Sequence, residues 1–286
     1  MANLGIEGIS AFGMPLTKFV ELAAELGCPN VSISLQQMES DPYGFPRYSL
    51  PEDVQLQREV KAALLANGVA LSLGENMFVT PEGDAREMWK AGLDVFAELG
   101  ATRVNSVSFA PEFHRNVDQY GLLAELTASY GIRTLIEFVP IFGVPDMPAA
   151  LEVVRQVGHP NIGLIFDTMH AGRTGFAPEA IRDVPEGLIQ YIQLCDVPRG
   201  KAHYDFMDAG YMDEAMHQRL SPGDGDMPLA DYLRELPRDV VIGLEIPRLD
   251  RAMAGVSLRD ALGECVAATR ELLAASRSTD HDGASE

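Results

Sequence analysis

The sequence predicts an α/β fold, a single-domain (β/α)8 TIM barrel over residues 1–275. Short apolar segments alternate with amphipathic ones, and a chain of 286 residues has the usual length for such a barrel. No G-x-G-x-x-G pattern follows the first apolar segment, which disfavours an open, doubly wound sheet. Acidic or amide side chains also end four successive apolar segments, and a closed barrel would bring these ends around one mouth.

Each predicted strand is a short apolar run with little polar alternation, as expected for parallel strands covered on both faces. These runs occupy residues 4–9, 31–35, 69–73, 103–109, 134–138, 162–167, 188–195 and 240–246. Helices are indicated by apolar residues that recur every three or four positions and often by a following glycine. The first helix shows both signals, with Phe19, Leu22 and Leu26 on one face before Gly27. The other helices are expected near residues 51–67, 88–99, before Tyr130, and near 149–157, 179–182 and 258–266.

Charge and composition limit the classes of partner that are expected for this protein. The formal net charge of −20 repels a phosphate backbone, so nucleic acid is not an expected partner. No stretch approaches the roughly 18 apolar residues of a membrane span, and no secretory signal precedes the first strand, so we expect a cytoplasmic protein without a membrane partner. The expected partner is a small-molecule substrate, and the sequence leaves open whether the protein forms a homo-oligomer. Cys28, Cys195 and Cys265 are widely spaced and are expected to be buried thiols.

Three polar segments are predicted to lie outside the barrel core. Residues 276–286 lack apolar periodicity and are predicted to form a flexible C-terminal tail. Segments 41–48 and 201–225 are long for barrel connections and follow strands at the expected catalytic end. We therefore expect both to cover the mouth as lids.

Four polar residues at or near consecutive strand ends are candidate metal ligands: Glu137, Asp167, Gln193 and Glu245. Three carboxylates that converge in an apolar mouth need a compensating charge to stay ionised. One divalent metal ion would supply it. Oxygen ligands favour Mn²⁺ or Mg²⁺, with Co²⁺ as an alternative and Zn²⁺ less suited without a histidine ligand. The other interpretation is that arginine or lysine side chains balance these acids.

Further polar residues beyond the strand ends are candidates for substrate binding. His170 follows Asp167 by three residues, and its imidazole is expected to contact substrate oxygens. Arg173 and Arg199 lie beyond consecutive strands that carry predicted ligands, and a guanidinium suits an oxygen-rich substrate or a carboxylate.

The chain resembles the xylose isomerase-like barrels, which include sugar phosphate isomerases/epimerases, ketose 3-epimerases, inosose dehydratase and dehydroshikimate dehydratases. The resemblance extends from the first strand to the last helix. It implies a metal held by Glu, Asp, His and Glu on strands five to eight, and the matching positions here are Glu137, Asp167, Gln193 and Glu245. It also implies substrate contacts for the histidine of Asp-x-x-His, here His170, and for Arg199. The segment Arg219-Leu220-Ser221-Pro222-Gly223-Asp224-Gly225-Asp226 is similar to the family's Pro-Gly-x-Gly loop.

Two positions depart from that family's pattern. Gln193 stands where the family has a histidine ligand, although an amide oxygen also binds hard cations. Gly143 stands where the epimerases carry a second glutamate. Both departures weaken the analogy with the sugar epimerases, and some dehydratase-like branches of the family carry a glutamine at the position of Gln193.

The predicted function is a metal-dependent isomerase or epimerase that acts on a keto-sugar or similar polyhydroxy ketone through an enediolate. Glu137 and Glu245 are the predicted catalytic residues, one removing a proton and the other returning it. The alternative is a metal-dependent dehydratase of the inosose or dehydroshikimate dehydratase type, which would use the same site to expel a β-hydroxyl. An endonuclease-like phosphoesterase and a metal-free binding protein are less favoured, the former because of the acidic charge and the small number of histidines.

Overall fold

A computed structural model of the chain describes residues 3–201 and 203–282 and confirms the predicted (β/α)8 barrel. Eight parallel strands close into one barrel in sequence order, because the first strand also pairs with the eighth. The strands are β1 Leu4–Ile6, β2 Asn30–Ser34, β3 Ala70–Val79, β4 Arg103–Ser108, β5 Arg133–Glu137, β6 Ile162–Asp167, β7 Ile189–Leu194 and β8 Val241–Leu244.

Helices connect the strands and cover the outside of the barrel. They are α1 Leu16–Glu25, α2 Val54–Asn67, α3 Ala85–Glu98, α4 Phe113–Ser129, α5 Met147–Val157, α6 Thr168–Arg173, α7 Ala209–His217, α8 Leu229–Glu235, α9 Leu249–Met253 and α10 Leu258–Asp282. The helix boundaries have local causes. The Asp53 carboxylate accepts a hydrogen bond from the Leu56 N–H at the start of α2, and Gly68 ends that helix with a φ of +64°. The residues expected near 179–182 form a 3₁₀ helix over Pro178–Asp183.

The third strand differs most from its predicted bounds, because it continues six residues beyond Leu73 to Val79. Its pairing with β4 shifts register between Gly74 and Met77, and Asn76 within that shift has a φ of +70°. Such an irregularity redirects side chains at the rim of a barrel. It leaves Glu75, which no apolar pattern would place in a strand, buried at the barrel mouth.

The core has two parts. A large apolar layer lies between the strands and the surrounding helices, and it contains Cys28, Cys195 and Cys265 as the expected buried thiols. A smaller cluster fills the barrel interior and consists of Leu73, Leu135, Ile165, Tyr191 and Val241. Because side chains fill the barrel from within, a ligand can be held at the carboxyl ends of the strands.

The last helix runs to Asp282, so the backbone is helical within the segment predicted as a flexible tail. Residues 283–286 lie outside the described residues. The division of the chain at residue 276 therefore stays a prediction. Among the helices that the structure describes, none is both long enough and apolar enough to span a bilayer.

Candidate active site

The four predicted metal ligands converge at the carboxyl ends of β5 to β8. Glu137 and Asp167 are the last residues of β5 and β6, Gln193 lies in β7, and Glu245 follows β8 directly. Asp167 pairs with Gln193 in the sheet register, and all four side chains are buried. The strand pattern thus brings polar side chains to one edge, as the sequence predicts.

Glu137, Asp167 and His170 form a compact cluster in which the potential ligand atoms lie within 4.8 Å of one another. The His170 Nε2 atom is 3.2 Å from Glu137 Oε1 and 3.7 Å from Asp167 Oδ2. The start of α6 fixes this arrangement, since Asp167 Oδ1 accepts a hydrogen bond of 3.0 Å from the His170 N–H. The Asp-x-x-His spacing therefore turns the imidazole back over the carboxylate that caps its own helix.

Tyr211 supports the imidazole from the other side. The Tyr211 hydroxyl is 2.6 Å from His170 Nδ1, and the two rings stack with centroids 5.7 Å apart. Tyr211 belongs to α7, within the long segment after β7. A hydroxyl that donates to Nδ1 leaves the proton of a neutral imidazole on Nε2, facing the carboxylates.

Arg219 is a site residue to which the sequence pattern assigns no role, although it begins the segment similar to the family's Pro-Gly-x-Gly loop. Its Nη1 atom lies 2.6 Å from Asp167 Oδ2 and 3.1 Å from Glu245 Oε2, and the side chain is buried. An isolated bridge between Asp196 and Leu220 brings this part of the loop back to the end of β7. The sequence left open that an arginine balances these acids, and the structure shows this in part, because one guanidinium pairs with two of the three carboxylates.

Charge interactions separate the pKa values of the two carboxyl groups beside Arg219. Burial alone would raise the pKa of Asp167, but the charges of Arg219 and His170 outweigh burial and hold that pKa well below its usual range. At Glu245, burial dominates over the attraction of Arg219, and the neighbouring carboxylate of Glu137 adds repulsion, so its pKa is raised well above the usual value. Asp167 is thus the permanently charged member of the pair.

Buried oxygen atoms without a hydrogen-bond donor also lie at the mouth. The Gln193 side chain donates from Nε2 to Glu7 Oε2 at 3.2 Å, which leaves Gln193 Oε1 without a partner among the described residues. Asn105 donates from Nδ2 to Glu137 Oε2 at 2.5 Å, and its Oδ1 is likewise unpartnered. Buried oxygens without protein donors are uncommon in folded proteins, and these two oxygens are free to bind a cation, a ligand or water.

These observations test whether the residues fit a divalent cation. With all three carboxylates of Glu137, Asp167 and Glu245 ionised, the site would carry two more negative charges than Arg219 neutralises, and the raised pKa of Glu245 reflects that uncompensated charge. A divalent ion would balance that excess, and the free Gln193 oxygen and the His170 nitrogen add donors of suitable types. The donor set therefore fits a divalent metal.

The two arginines predicted to bind substrate lie elsewhere. Arg173 is buried, but its guanidinium is paired with the Glu214 carboxylate and donates to the Pro198 carbonyl at 2.6 Å. Arg199 is exposed, and its backbone N–H donates to Asp226. Neither side chain is among the described residues that line the mouth, so their contact with substrate stays a prediction without geometric support.

A cavity of about 940 Å³ opens above the cluster. Its lining includes Glu137, His170, Arg219 and Glu245, together with residues of the loop after β2 and of α7. The predicted lid 201–225 borders the mouth through residues 211–219, whereas no residue of the predicted lid 41–48 is among the described lining residues, which after β2 are residues 35–40 and Pro51. The volume suits a small organic molecule.

Two further carboxylates lie buried beside the site, Glu7 at the end of β1 and Glu75 in β3. Burial raises the pKa of Glu75 to about 7, while the hydroxyl of Ser32, which donates to Glu75 Oε1, acts in the opposite direction. Neither Glu7 nor Glu75 could be selected from the sequence, since neither has a ligand-like spacing to another polar residue.

The raised pKa of Glu75 predicts a pH-dependent stability. A carboxyl group whose pKa is raised on folding binds more protons in the folded state, so stability falls as pH rises from about 4.5 to about 7. Relative to Glu75→Gln, the wild-type protein should lose roughly 2–3 kcal/mol of unfolding free energy between pH 5 and pH 8. Urea unfolding of both proteins in the presence of a chelator measures this difference. Parallel pH profiles would contradict it.

Comparison with known proteins agrees with this architecture. A family model for the xylose isomerase-like TIM barrel matches residues 20–265. The chain therefore belongs to the xylose isomerase-like TIM barrel family, as its sequence resemblance implies.

Two curated relatives match part of the chain. A 3-dehydroshikimate dehydratase of Pseudomonas putida is 31% identical over 119 residues, which cover 41% of this chain and 18% of the dehydratase. An inosose isomerase of Bacillus velezensis is 28% identical over 131 residues, 44% of each protein. The matched regions thus span less than half the length of these relatives.

A solved structure extends the likeness over the whole barrel. The crystal structure of the IolI protein with a bound zinc atom has a TM-score of 0.77 and 19% sequence identity, and the alignment covers 96% of this chain and 99% of that one. At this identity the similarity establishes the fold.

Proposed function

We propose that this protein is a divalent-metal-dependent isomerase or epimerase of a keto-sugar or similar polyhydroxy ketone. The observation that carries the proposal is the convergence of Glu137, Asp167 and Glu245 at one mouth, with a charge excess that a divalent ion would balance. The inosose isomerase among the relatives acts, by its name, on a polyhydroxy ketone, which supports this substrate class.

The proposed ligands are Glu137, Asp167, Gln193 and Glu245. When bound, the ion would act as a Lewis acid that polarises the substrate carbonyl and stabilises negative charge on its oxygen. The sequence favours Mn²⁺ or Mg²⁺, with Co²⁺ as an alternative, because the four ligands predicted from it all offer oxygen atoms. Zn²⁺ would fit an alternative ligand set in which an unprotonated His170 Nε2 joins Glu137 and Asp167 instead of contacting substrate.

Glu137 and Glu245 are proposed to move the proton. They lie on β5 and β8, on different sides of the mouth, so a substrate between them would present a different face to each carboxylate. One carboxylate takes the proton from the carbon beside the carbonyl, and the other returns a proton. Return to the other face of the same carbon gives epimerisation, and return to the neighbouring carbon gives isomerisation.

His170 is proposed to hold a substrate oxygen. Its Nε2 atom faces the cluster while Tyr211 fixes Nδ1, so the imidazole can donate a hydrogen bond without changing its tautomer. Arg219 keeps Asp167 ionised and carries a second positive charge to the place where negative charge would develop on the substrate.

The dehydratase is the second candidate, and a specific observation favours it. The relative with 31% identity is named as a 3-dehydroshikimate dehydratase, and Gln193 replaces the histidine of the epimerases. The first step would be the same proton abstraction. The β-carbon–oxygen bond would then break, and the departing hydroxyl would leave as water after receiving a proton from a carboxylic acid.

Incubation in heavy water tests the shared step. With metal-loaded protein and inosose or a ketohexose as substrate, we expect deuterium at the carbon beside the carbonyl, in the product and in recovered substrate. Formation of an unsaturated product would select the dehydratase. Turnover without any exchange would contradict proton abstraction by a carboxylate in contact with solvent.

A further inference from the structure

One side of the cavity above the cluster is formed by aromatic rings in mutual contact. Phe78 contacts Trp89 and Phe109 with ring centroids 5.9 and 4.9 Å apart, and Phe109 contacts Phe142 at 4.6 Å. All four residues line the cavity, and each is only partly buried. The packing of the protein therefore leaves part of each residue uncovered. These four residues form the aromatic wall.

The side chains of the aromatic wall offer no free hydrogen-bonding atom to a ligand. The Trp89 Nε1–H donates to the Phe78 carbonyl at 2.9 Å, so the polar atom of the indole is already satisfied. Among the described lining residues from Val107 to Phe142, Glu137 alone has a polar side chain. A hydroxyl group placed against this side would lose its hydration without a replacement hydrogen bond. An apolar group placed there would instead gain free energy from burial.

The loop after β5 excludes a polar side chain at the position where the epimerases carry a glutamate. Gly143 stands there, and its N–H donates to the Ser108 carbonyl at 2.7 Å while its carbonyl accepts from Asn116 Nδ2 at 3.1 Å. A Cβ at this position would overlap the Ala110 carbonyl oxygen, so the close approach of the two loops requires glycine. The neighbouring residue that this loop contributes to the cavity is Phe142.

The aromatic wall and the charged groups lie on different sides of the mouth. The wall lies beside β3 to β5, whereas Arg219 and Glu245 lie beside the ends of β6 and β8. Glu137 ends β5 and stands between the two sides, and both sides border the same cavity of about 940 Å³. A molecule with a polar head at Glu137 and His170 could therefore extend an apolar part over the rings.

We propose that the aromatic wall is a binding subsite for an aryl group, so that the ligand of this cavity is an aryl-substituted hydroxyketone. The hydroxyketone part rests on the proposed function, whereas the aryl subsite rests on the aromatic wall alone. A planar ring can meet the wall in the offset-stacked or edge-to-face arrangements that aromatic pairs favour. The inference narrows the proposed substrate class to ketones with hydroxyl groups at one end and an aryl group at the other.

The first measurement compares two hydroxamates, because a hydroxamate chelates a metal ion through two oxygens and so imitates the polar head. Benzohydroxamate carries a phenyl ring on this group, and acetohydroxamate carries a methyl group. On metal-loaded protein, calorimetry should show that benzohydroxamate binds about 10-fold to 100-fold more tightly, since the phenyl ring is buried in the complex. Equal affinities would overturn the inference.

The second measurement uses Trp89, the one tryptophan of the chain, as a fluorescent reporter within the aromatic wall. Saturation with benzohydroxamate should change the intensity or the wavelength of its emission, and saturation with acetohydroxamate should not. Benzyl alcohol has no chelating group and should cause the same change at millimolar concentrations in the presence of a chelator, whereas glycerol should not. Unchanged emission with both aryl probes would overturn the inference, also if the protein binds no metal.

Phe142→Ala removes one ring of the aromatic wall and leaves Trp89 as the reporter. It should reduce the preference for benzohydroxamate over acetohydroxamate by about 5-fold to 10-fold, with unchanged metal content. Phe113→Ala is the matched control, because Phe113 is 37% exposed and is not among the described lining residues, and it should keep the wild-type preference. An unchanged preference in Phe142→Ala would show that the phenyl ring binds elsewhere, which contradicts the inference.

Deuterium exchange distinguishes the failure of the aryl subsite from that of the proposed function. Preference for the aryl probe without exchange into any hydroxyketone refutes only the proposed reaction. Exchange into a hydroxyketone together with equal affinities for the two hydroxamates refutes only the aryl subsite.

Discussion

Glu245→Gln is expected to lose the divalent cation that the wild-type protein retains when both are purified without chelators. The substitution keeps the size of the side chain but removes one of the three carboxyl groups that could bind the cation as carboxylates, and it leaves Arg219 with Asp167 as its remaining ionic partner there. Loss of a ligand carboxylate should weaken metal affinity by about 100-fold or more, since even residues behind the ligands contribute 10-fold to 100-fold. Elemental analysis and titration with Mn²⁺ and Zn²⁺ measure the loss.

Glu75→Gln is the matched control for this experiment. It makes the same chemical change at another buried carboxylate of the mouth, but Glu75 hydrogen-bonds to Ser32 and is not a predicted ligand. It should retain most of its metal. Equal metal content in the wild type and Glu245→Gln, or no metal in either, would refute the metal site.

The strand order and the site edge could be predicted because both depend on local patterns. Apolar runs without alternation mark buried parallel strands, and the predicted bounds of β6 match the structure. The length of β3 could not be predicted, because its last residues include Glu75 and Asn76, and the shift in pairing with β4 depends on a neighbouring strand. Local propensity does not encode such a tertiary irregularity.

The site residues could be predicted where a polar side chain lies at the end of a strand. Glu137, Asp167 and Glu245 interrupt or end apolar runs, and that interruption is a signal in the sequence. Arg219 lies in a loop, where polar residues are ordinary and carry no such signal. Arg219 is 52 residues from Asp167 in the chain, and only the folded loop brings the two together.

Arg219 changes how the charge of the site is understood. From the sequence, a metal ion and a balancing arginine were competing explanations for the same acids. In the structure the guanidinium bonds to Asp167 and Glu245 but leaves Glu137 facing His170, so the arginine neutralises only part of the charge. The Arg219 guanidinium and a divalent metal ion are therefore complementary. Removal of the guanidinium should make the stability of the folded protein depend more strongly on the metal ion.

Arg219→Met should accordingly destabilise the ligand-free protein strongly and make it dependent on divalent cations. Loss of one partner from a buried ion pair costs about 3–5 kcal/mol, because the remaining charges are left uncompensated. A divalent ion that binds Asp167 and Glu245 would restore much of this loss, so Mn²⁺ should stabilise Arg219→Met more than it stabilises the wild type. Urea unfolding with chelator and with Mn²⁺ gives both quantities.

Arg173→Met is the control for Arg219→Met, since it also removes a buried arginine from a carboxylate, in this case Glu214, which is not a predicted ligand. It should lose stability without a matching gain from Mn²⁺, because its uncompensated carboxylate lies apart from the cluster of Glu137, Asp167 and His170. If Mn²⁺ rescued both variants equally, the effect would be nonspecific. If it rescued neither, the carboxylates beside Arg219 would not form a cation site, and the balance of charge at the mouth would need another explanation.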